Sequence, residues 1–439
     1  MNSPFAGTPT KPSTSGWRPT VAQVLASVVA VVLAAVAVLW RRPDLLVIGA
    51  PFVAVAAWSS FTRPQQAPEV TDQLADTSLR EGDATTWSAR LEGVDGMDCV
   101  VAVIPSVAWV AAWPESGAST AVAVDGVAVV SAIVRSLRWG RRAIGPVTLV
   151  ANDAWGSFRW VSKAPQHELT SLPLPAVFGS TGALQRANGL VGVNRSVRAG
   201  EGSEFAGIRE FRSGDRMRRI NWPRSLRAGT LHVTSTWTDQ DNLVLLEVDA
   251  TDDIGFSGGV DGQASSLDRT VRATAAIAEH YLHRGDRVSM GVFGSSPARL
   301  VPPATGSAHL RRILDNLASI RPGTDPRGLS ARHQQSLPAD TLAIMLSPLV
   351  SHAALERVVT LARHGFNVVV VETLPGEVVE GDDPIDALAW RIRLLERRRE
   401  MGMVQEMGIP VVTWIGPGSL DNFLREAARR ARAPRLVRR

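Results

Sequence analysis

The chain has 439 residues, with 47 Lys+Arg against 42 Asp+Glu, a net charge of +5 and a single cysteine, Cys99. That length holds two or three domains. The basic excess is too small for a general polyanion binder, so nucleic acid is not an expected partner, and one cysteine excludes both an internal disulfide framework and a cysteine-rich zinc site.

Residues 1–16, "MNSPFAGTPTKPSTSG", are rich in Pro, Gly, Ser and Thr and read as a disordered start. An uncharged run follows from Val21 to Trp40. At 1.5 Å per residue such a run spans about 30 Å, the thickness of a bilayer core. After "RRPD" comes a second uncharged run, Leu45 to Phe61, with Pro51 inside it. Trp17, Trp40 and Trp58 stand near the ends of the runs, where indoles favour the membrane interface. The expectation is a hairpin of two transmembrane helices within 17–62. A signal peptide is less fitting, because its apolar stretch is shorter and needs no second run. Both termini then lie on one side of a cell membrane. Arg41 and Arg42 in the turn nearly balance Lys11, Arg18 and Arg63 on the flanks, so the positive-inside bias is weak. The basic end, "REAARRARAPRLVRR", tips the expectation towards cytoplasmic soluble domains; it reads either as a solvated helix and tail or as a contact with anionic headgroups.

Residues 65–165 alternate Val- and Trp-rich stretches with turn signals such as "VDG" and "PESG". This pattern predicts a small β-sandwich (Ig-like), read as a structural spacer. Residues 166–240 read as a Pro-rich linker and a charged segment. From 241 to 433, continuous apolar strands such as "NLVLLEVDA" and "FNVVVVETL" alternate with helical stripes, one of them Leu267, Val271, Ala275, Ala278 and Leu282. Both-face burial of the strands predicts an α/β fold with a doubly wound parallel sheet, whose sites lie beyond the carboxyl ends of the strands. Residues 434–439 are a basic tail.

The charged segment, "EGSEFAGIREFRSGDRMRRINW" at 201–222, packs four acids and five arginines among apolar residues. Glu204, Glu210 and Asp215 are near enough in sequence to Arg209, Arg218, Arg219 and Arg227 for a network of paired charges, with Trp222 over one face. Such a network either welds the segment to the α/β domain or forms a partner-docking surface. Catalysis is disfavoured, since no nucleophile or histidine sits among these groups.

Gly200, Gly202, Glu204, Phe205, Arg209, Phe211, Gly214, Asp215, Arg218, Ile220, Asn221 and Trp222, followed by Ser225, Arg227, Leu231 and Val233, resemble the signature of a bacterial membrane-protein family of unknown function (domain of unknown function fifty-eight). That signature reads G-x-G-x-E-F, L-R-x-Y-x-x-G-D-x-x-R-x-I-D-W, S-A-R and L-x-V; here Ile208, Phe211, Asn221 and Leu226 stand for Leu, Tyr, Asp and Ala. The resemblance implies two membrane helices, a β domain and a von Willebrand factor A-like domain. It also implies a non-enzymatic adaptor or assembly factor working with a MoxR-type AAA+ ATPase in envelope or protein-complex maturation. Its docking residues would be Glu204, Phe205, Arg209, Glu210, Gly214, Asp215, Arg218, Trp222 and Arg227.

Two other chemistries remain open at this stage. A von Willebrand-type domain often holds Mg²⁺ through D-x-S-x-S after its first strand; here Asp249, Thr251 and Asp253 occupy those positions. Thr251 is a fair substitute, Asp253 is not, and the later "LSPL" supplies Ser347 without a carboxylate, so the site looks degenerate. "GFSGG" matches G-x-S-x-G with Ser257 as nucleophile and His280, His309, His352 and His364 downstream. That motif needs its serine directly between strand and helix, and this stretch reads as a loop. No P-loop occurs, so Walker-type ATP hydrolysis is not expected.

Overall fold

The computed structural model describes residues 16–174, 199–213, 215, 217–237, 243–295, 299–323, 337–338, 341–376, 383–415 and 419. The expected disordered start, most of the Pro-rich linker, the final helix and the basic tail lie outside these residues. The chain divides into two units, residues 1–172 with 259–261, and residues 173–258 with 262–439.

In the first unit a two-residue strand, β1 (Arg18–Pro19), leads into α1 (Val21–Trp40) and α2 (Asp44–Phe61). Both helices are long and apolar enough to cross a membrane. Their buried positions are Gln23, Ala30 and Ala37 on α1 and Gly49 and Ser59 on α2, while Val21, Val31, Leu39, Val47 and Ile48 face outward. A hairpin buried in a soluble core would hide those apolar residues. Here the contact seam is small and polar instead, as in helix pairs packed within lipid. A Cβ on Gly49 would already sit 3.4 Å from the Leu33 Cβ. Ser59 Oγ donates to Gln23 Oε1 at 3.0 Å, and Gln23 Nε2 donates to the Ala56 carbonyl at 3.1 Å.

Trp17 departs from expectation. It is buried in the core of the β domain, its indole donating to the Gln66 carbonyl at 3.0 Å. Arg63 fixes this junction, donating to the Trp17 carbonyl and lying over the Phe158 ring. An indole that finds apolar contacts and a hydrogen bond inside the fold has no need of the interface.

The β domain consists of β2 (Glu69–Leu74), β3 (Ser78–Arg80), β4 (Ala84–Glu92), β5 (Met97–Val103), β6 (Val110–Trp113), β7 (Ala118–Val122), β8 (Val127–Ser136), β9 (Gly140–Ile144), β10 (Thr148–Asp153), β11 (Phe158–Lys163) and β12 (His167–Leu172). A four-stranded antiparallel sheet, β2-β4-β8-β6, and a five-stranded one, β1-β11-β10-β5-β7, share one core. Trp87, Leu91 and Val134 come from the first sheet, and Val100, Leu149 and Trp160 from the second. A short third sheet, β3-β12-β9, closes the domain. It carries the domain past the expected end at 165, because Leu169 and Leu172 are buried.

The second unit opens with a hairpin, β13 (Ala199–Glu210) and β14 (His232–Trp237), with a 3-10 turn (Met217–Arg219) and α3 (Trp222–Ala228) between its strands. Next come β15 (Leu243–Asp249), α4 (Ser266–His283), β16 (Arg287–Phe293), β17 (Arg299–Ala304), α5 (Ser307–Leu317), β18 (Leu342–Ser347), α6 (His352–Arg363), β19 (Asn367–Glu372), α7 (Pro384–Glu406) and β20 (Val411–Thr413). Their sheet runs β17-β16-β15-β18-β19-β20, parallel except for β17. The strand order therefore turns back at β15 and β18, opening a crevice at their carboxyl ends. All five residues of the predicted α4 stripe are buried.

The antiparallel strand β17 does not follow from the sequence pattern. Pro302 and Pro303 argue against a strand in sequence, yet β17 is an edge, and its register shifts between the pairs Val288↔Ala304 and Met290↔Val301. A proline without an N–H is tolerated at such an edge bulge.

Candidate functional site

Two places collect the residues singled out in sequence: the β13–β14 hairpin and the crevice at the end of β15. In the hairpin, β13 pairs with β14 from Ala199↔Trp237 to Glu210↔His232, with bulges around Phe205. After β13 the chain turns on one ion pair. Arg209 Nη1 and Nη2 donate to Asp215 Oδ2 and Oδ1 at 2.7 and 2.6 Å, and the Arg212 N–H adds a bond to Oδ2 at 2.8 Å. The guanidinium first, and then that N–H, hold the Asp215 carboxyl down at about 2.

Of the expected network, the described residues show the Arg209–Asp215 pair. Glu210, Arg218 and Arg227 are exposed and make no ion pair among the described residues. Glu204 and Phe205 lie on β13 with side chains outside the described set, and Gly214 falls outside it altogether. Trp222 is 59% exposed. Exposed opposite charges gain little from pairing in water, whereas the bidentate Arg209–Asp215 pair sets a turn.

Asn221 begins α3. Its side-chain oxygen accepts from the Arg224 N–H, and Gly229 ends the helix at φ 70. Asn and Asp cap equally well, which explains why Asn221 serves where the resembling signature has Asp. Ser225, buried, ties the helix to β14: its Oγ accepts from the His232 N–H at 2.8 Å and donates to the Asn221 carbonyl. So tethered, α3 presents Trp222 and, one turn on, Leu226 (82% exposed) to solvent.

In the crevice, Asp249 ends β15 and is 2% exposed. Its Oδ1 accepts from the Thr251 N–H at 3.0 Å and its Oδ2 from Ser347 Oγ, at the end of β18, at 2.5 Å. Burial pushes its carboxyl above the ordinary value, against the pull of those hydrogen bonds. Gly294, at φ 73, lets the end of β16 approach; a Cβ there would fall 2.4 Å from the Thr251 nitrogen. Asp253 is committed elsewhere, its Oδ1 accepting from the Leu267 N–H at the start of α4.

One feature here suits a cation: the buried Thr251 Oγ1 has no hydrogen-bond partner among the described residues. The carboxylates do not suit one. Mg²⁺ takes ionised oxygens in near-octahedral array, whereas burial works against the charged form of Asp249 and each acid already accepts from a backbone N–H. Among the described residues no group of three or more His, Cys, Asp or Glu is placed to hold a metal.

A raised carboxyl stabilises the fold below the unfolded value, near 4, and that contribution is lost as pH rises through the folded value. Asp249→Asn, which mimics the protonated acid, is therefore expected to gain melting temperature relative to the parent at about pH 8, and to gain little at about pH 4. Thermal melts across pH check this. A loss at both pH values, with a Mg²⁺-dependent shift confined to the parent, would instead restore the metal site.

Ser257 does not occupy a nucleophile elbow. It is buried in the loop between Asp249 and Ser266, where the Gly258 N–H closes onto the Gln263 carbonyl at 2.7 Å. Of the downstream histidines, His309 lies against the Val288 carbonyl, His364 against the Thr360 carbonyl, His352 beside Glu356 and His280 edge-on to Tyr281.

Compared with known proteins, an uncharacterized protein of Mycobacterium tuberculosis and another of Mycobacterium bovis are each 26% identical to this chain over 251 residues, 54% of this chain and 72% of theirs. Residues 207–375, which take in the Arg209–Asp215 turn, α3 and the sheet as far as β19, match the family model described as "Protein of unknown function DUF58".

Proposed function

We propose that this chain is a membrane-anchored, non-enzymatic adaptor whose β13–β14 hairpin captures another protein. The partner inferred from the resemblance is a MoxR-type AAA+ ATPase, and the process is envelope or protein-complex maturation, with the soluble units in the cytoplasm. The reading treats the α/β unit as von Willebrand factor A-like, in keeping with its sheet order and single antiparallel edge.

The observation that carries the proposal is α3. A seven-residue helix, capped at both ends and pinned by Ser225, holds Trp222 and Leu226 in water with Arg218, Arg224 and Arg227 close by in sequence. Exposing these apolar groups gains nothing for folding. Tryptophan and arginine are the residue types that dominate binding hot spots.

The test is co-purification of the full chain with the ATPase in mild detergent. Trp222→Ala is expected to weaken capture by about 30-fold or more, the equivalent of about 2 kcal/mol. Leu226→Asp should do the same, and both variants should keep the parent's circular dichroism. Equal capture by parent and well-folded variants would remove the hairpin as the docking surface.

A further inference from the structure

The first unit carries a cationic cleft where α1 leaves the β domain. β1 joins the edge of the five-stranded sheet antiparallel to β11, which sets Arg18 directly opposite Arg159. Along β11 burial alternates strictly: Phe158, Trp160 and Ser162 point into the core, and Arg159, Val161 and Lys163 point out. Arg18, Arg159 and Lys163 thus line one cleft of about 760 Å³. Its remaining wall is the first turn of α1, held in place by Thr20, whose N–H donates to the Ser157 carbonyl and whose hydroxyl donates to the Gly156 carbonyl, each at 2.8 Å.

Among the described residues no aspartate or glutamate lines the cleft. Like charges directly opposite across a strand pair destabilise it. The amino end of α1 adds partial positive charge, with no acid in its first turn. Asn152 Oδ1 accepts from Arg159 Nε at 3.1 Å, which turns the guanidinium and leaves its terminal nitrogens for an acceptor outside the described residues. The described residues supply no counter-charge to this group of cations, so an anion from outside is the natural complement.

The position says which anion. The apolar surface of α1 begins at Val21, on the cleft wall. Trp155, 60% exposed, sits in the turn between β10 and β11, and Trp58, 58% exposed, lies at the end of α2 that meets the start of α1 through Ser59 and Gln23. Indoles mark the headgroup level. We propose that this cleft binds the phosphodiester headgroup of an anionic glycerophospholipid. This rests on the reading that α1 and α2 cross a membrane. Zwitterionic lipids share the phosphate but bring an ammonium group, and the cleft offers that group no carboxylate.

The experiment uses the full chain in detergent micelles, titrated with phosphatidylglycerol or phosphatidylcholine and read by native mass spectrometry. The parent is expected to retain phosphatidylglycerol at about tenfold lower concentration than phosphatidylcholine. In Arg18→Gln/Arg159→Gln/Lys163→Gln the two should come within about twofold, while Arg41→Gln/Arg42→Gln, at the far end of the hairpin, should keep the parent's preference. An unchanged preference in the triple variant, with parental circular dichroism, overturns the proposal. So does displacement of the lipid by millimolar inorganic phosphate, which would make this a free-phosphate site. A chain that stays monodisperse without detergent would sink the membrane reading itself, an outcome separate from the other two.

Discussion

Arg397→Met is expected to cost the α/β unit about 3–5 kcal/mol, the scale for stranding one half of a buried ion pair. Arg397 lies on α7 and is 5% exposed. Its Nε donates to the Pro348 carbonyl at 2.8 Å, and its Nη2 pairs with Glu372 Oε1 at the end of β19. Glu372 Oε2 in turn accepts from Thr413 Oγ1 at 2.7 Å on β20. One guanidinium therefore joins α7, the β18–α6 connection and two strands. Methionine fills comparable space but leaves Glu372 charged, largely buried and without its cation. Urea unfolding, with hydrogen exchange on β18, β19 and β20, measures the loss. Replacing both partners, Arg397→Met with Glu372→Gln, should recover most of it, because the penalty comes from the stranded charge more than from the lost pair. Arg397→Lys should fall between, keeping the charge but not the fork. A cost below about 1 kcal/mol for Arg397→Met would show that the pair behaves as an exposed one.

None of this was legible beforehand. The pairing of residues 372 and 397 depends on how a helix docks, and neither position carries a local signal. Signals that act locally fared better. Unbroken apolar runs marked α1 and α2, two-residue alternation marked β4, β8 and β11, and the helical stripe from Leu267 to Leu282 matched the buried face of α4. The failures also have causes. Pro302 and Pro303 hid β17, because propensity does not distinguish an edge from a sheet interior. The sequence neighbours of Trp17 point to the membrane interface, whereas its environment is set by strands from the β domain. In the charged segment, charge density shows in sequence and side-chain direction does not. Arg209 and Asp215 meet because a turn brings them together; Arg218 and Arg227 point to water. The cleft cations Arg18, Arg159 and Lys163 do not stand out as a group in the sequence, since β1 pairs with a strand far along the chain.

Trp160→Ala is expected to destabilise the β domain by about 3–5 kcal/mol, the transfer cost of a large side chain plus that of the cavity it leaves. Trp160 is fully buried at the centre of β11, packed in the core that both large sheets share. Its indole N–H has no hydrogen-bond partner among the described residues, so part of its packing gain is offset by that unpaired donor. Trp160→Phe should accordingly lose far less than Trp160→Ala, keeping an aromatic ring and removing the orphan. With 13 tryptophans in the chain, fluorescence would not isolate the effect; hydrogen exchange on residues 148–163 would. The same strand carries Arg159 and Lys163 on its outer face. Loosening its inner face should therefore blunt the preference for phosphatidylglycerol without removing a single cation. A Trp160→Ala chain that opens β11 yet keeps full lipid preference would mean that the cations act as scattered surface charge, with no contribution from the geometry the strand imposes.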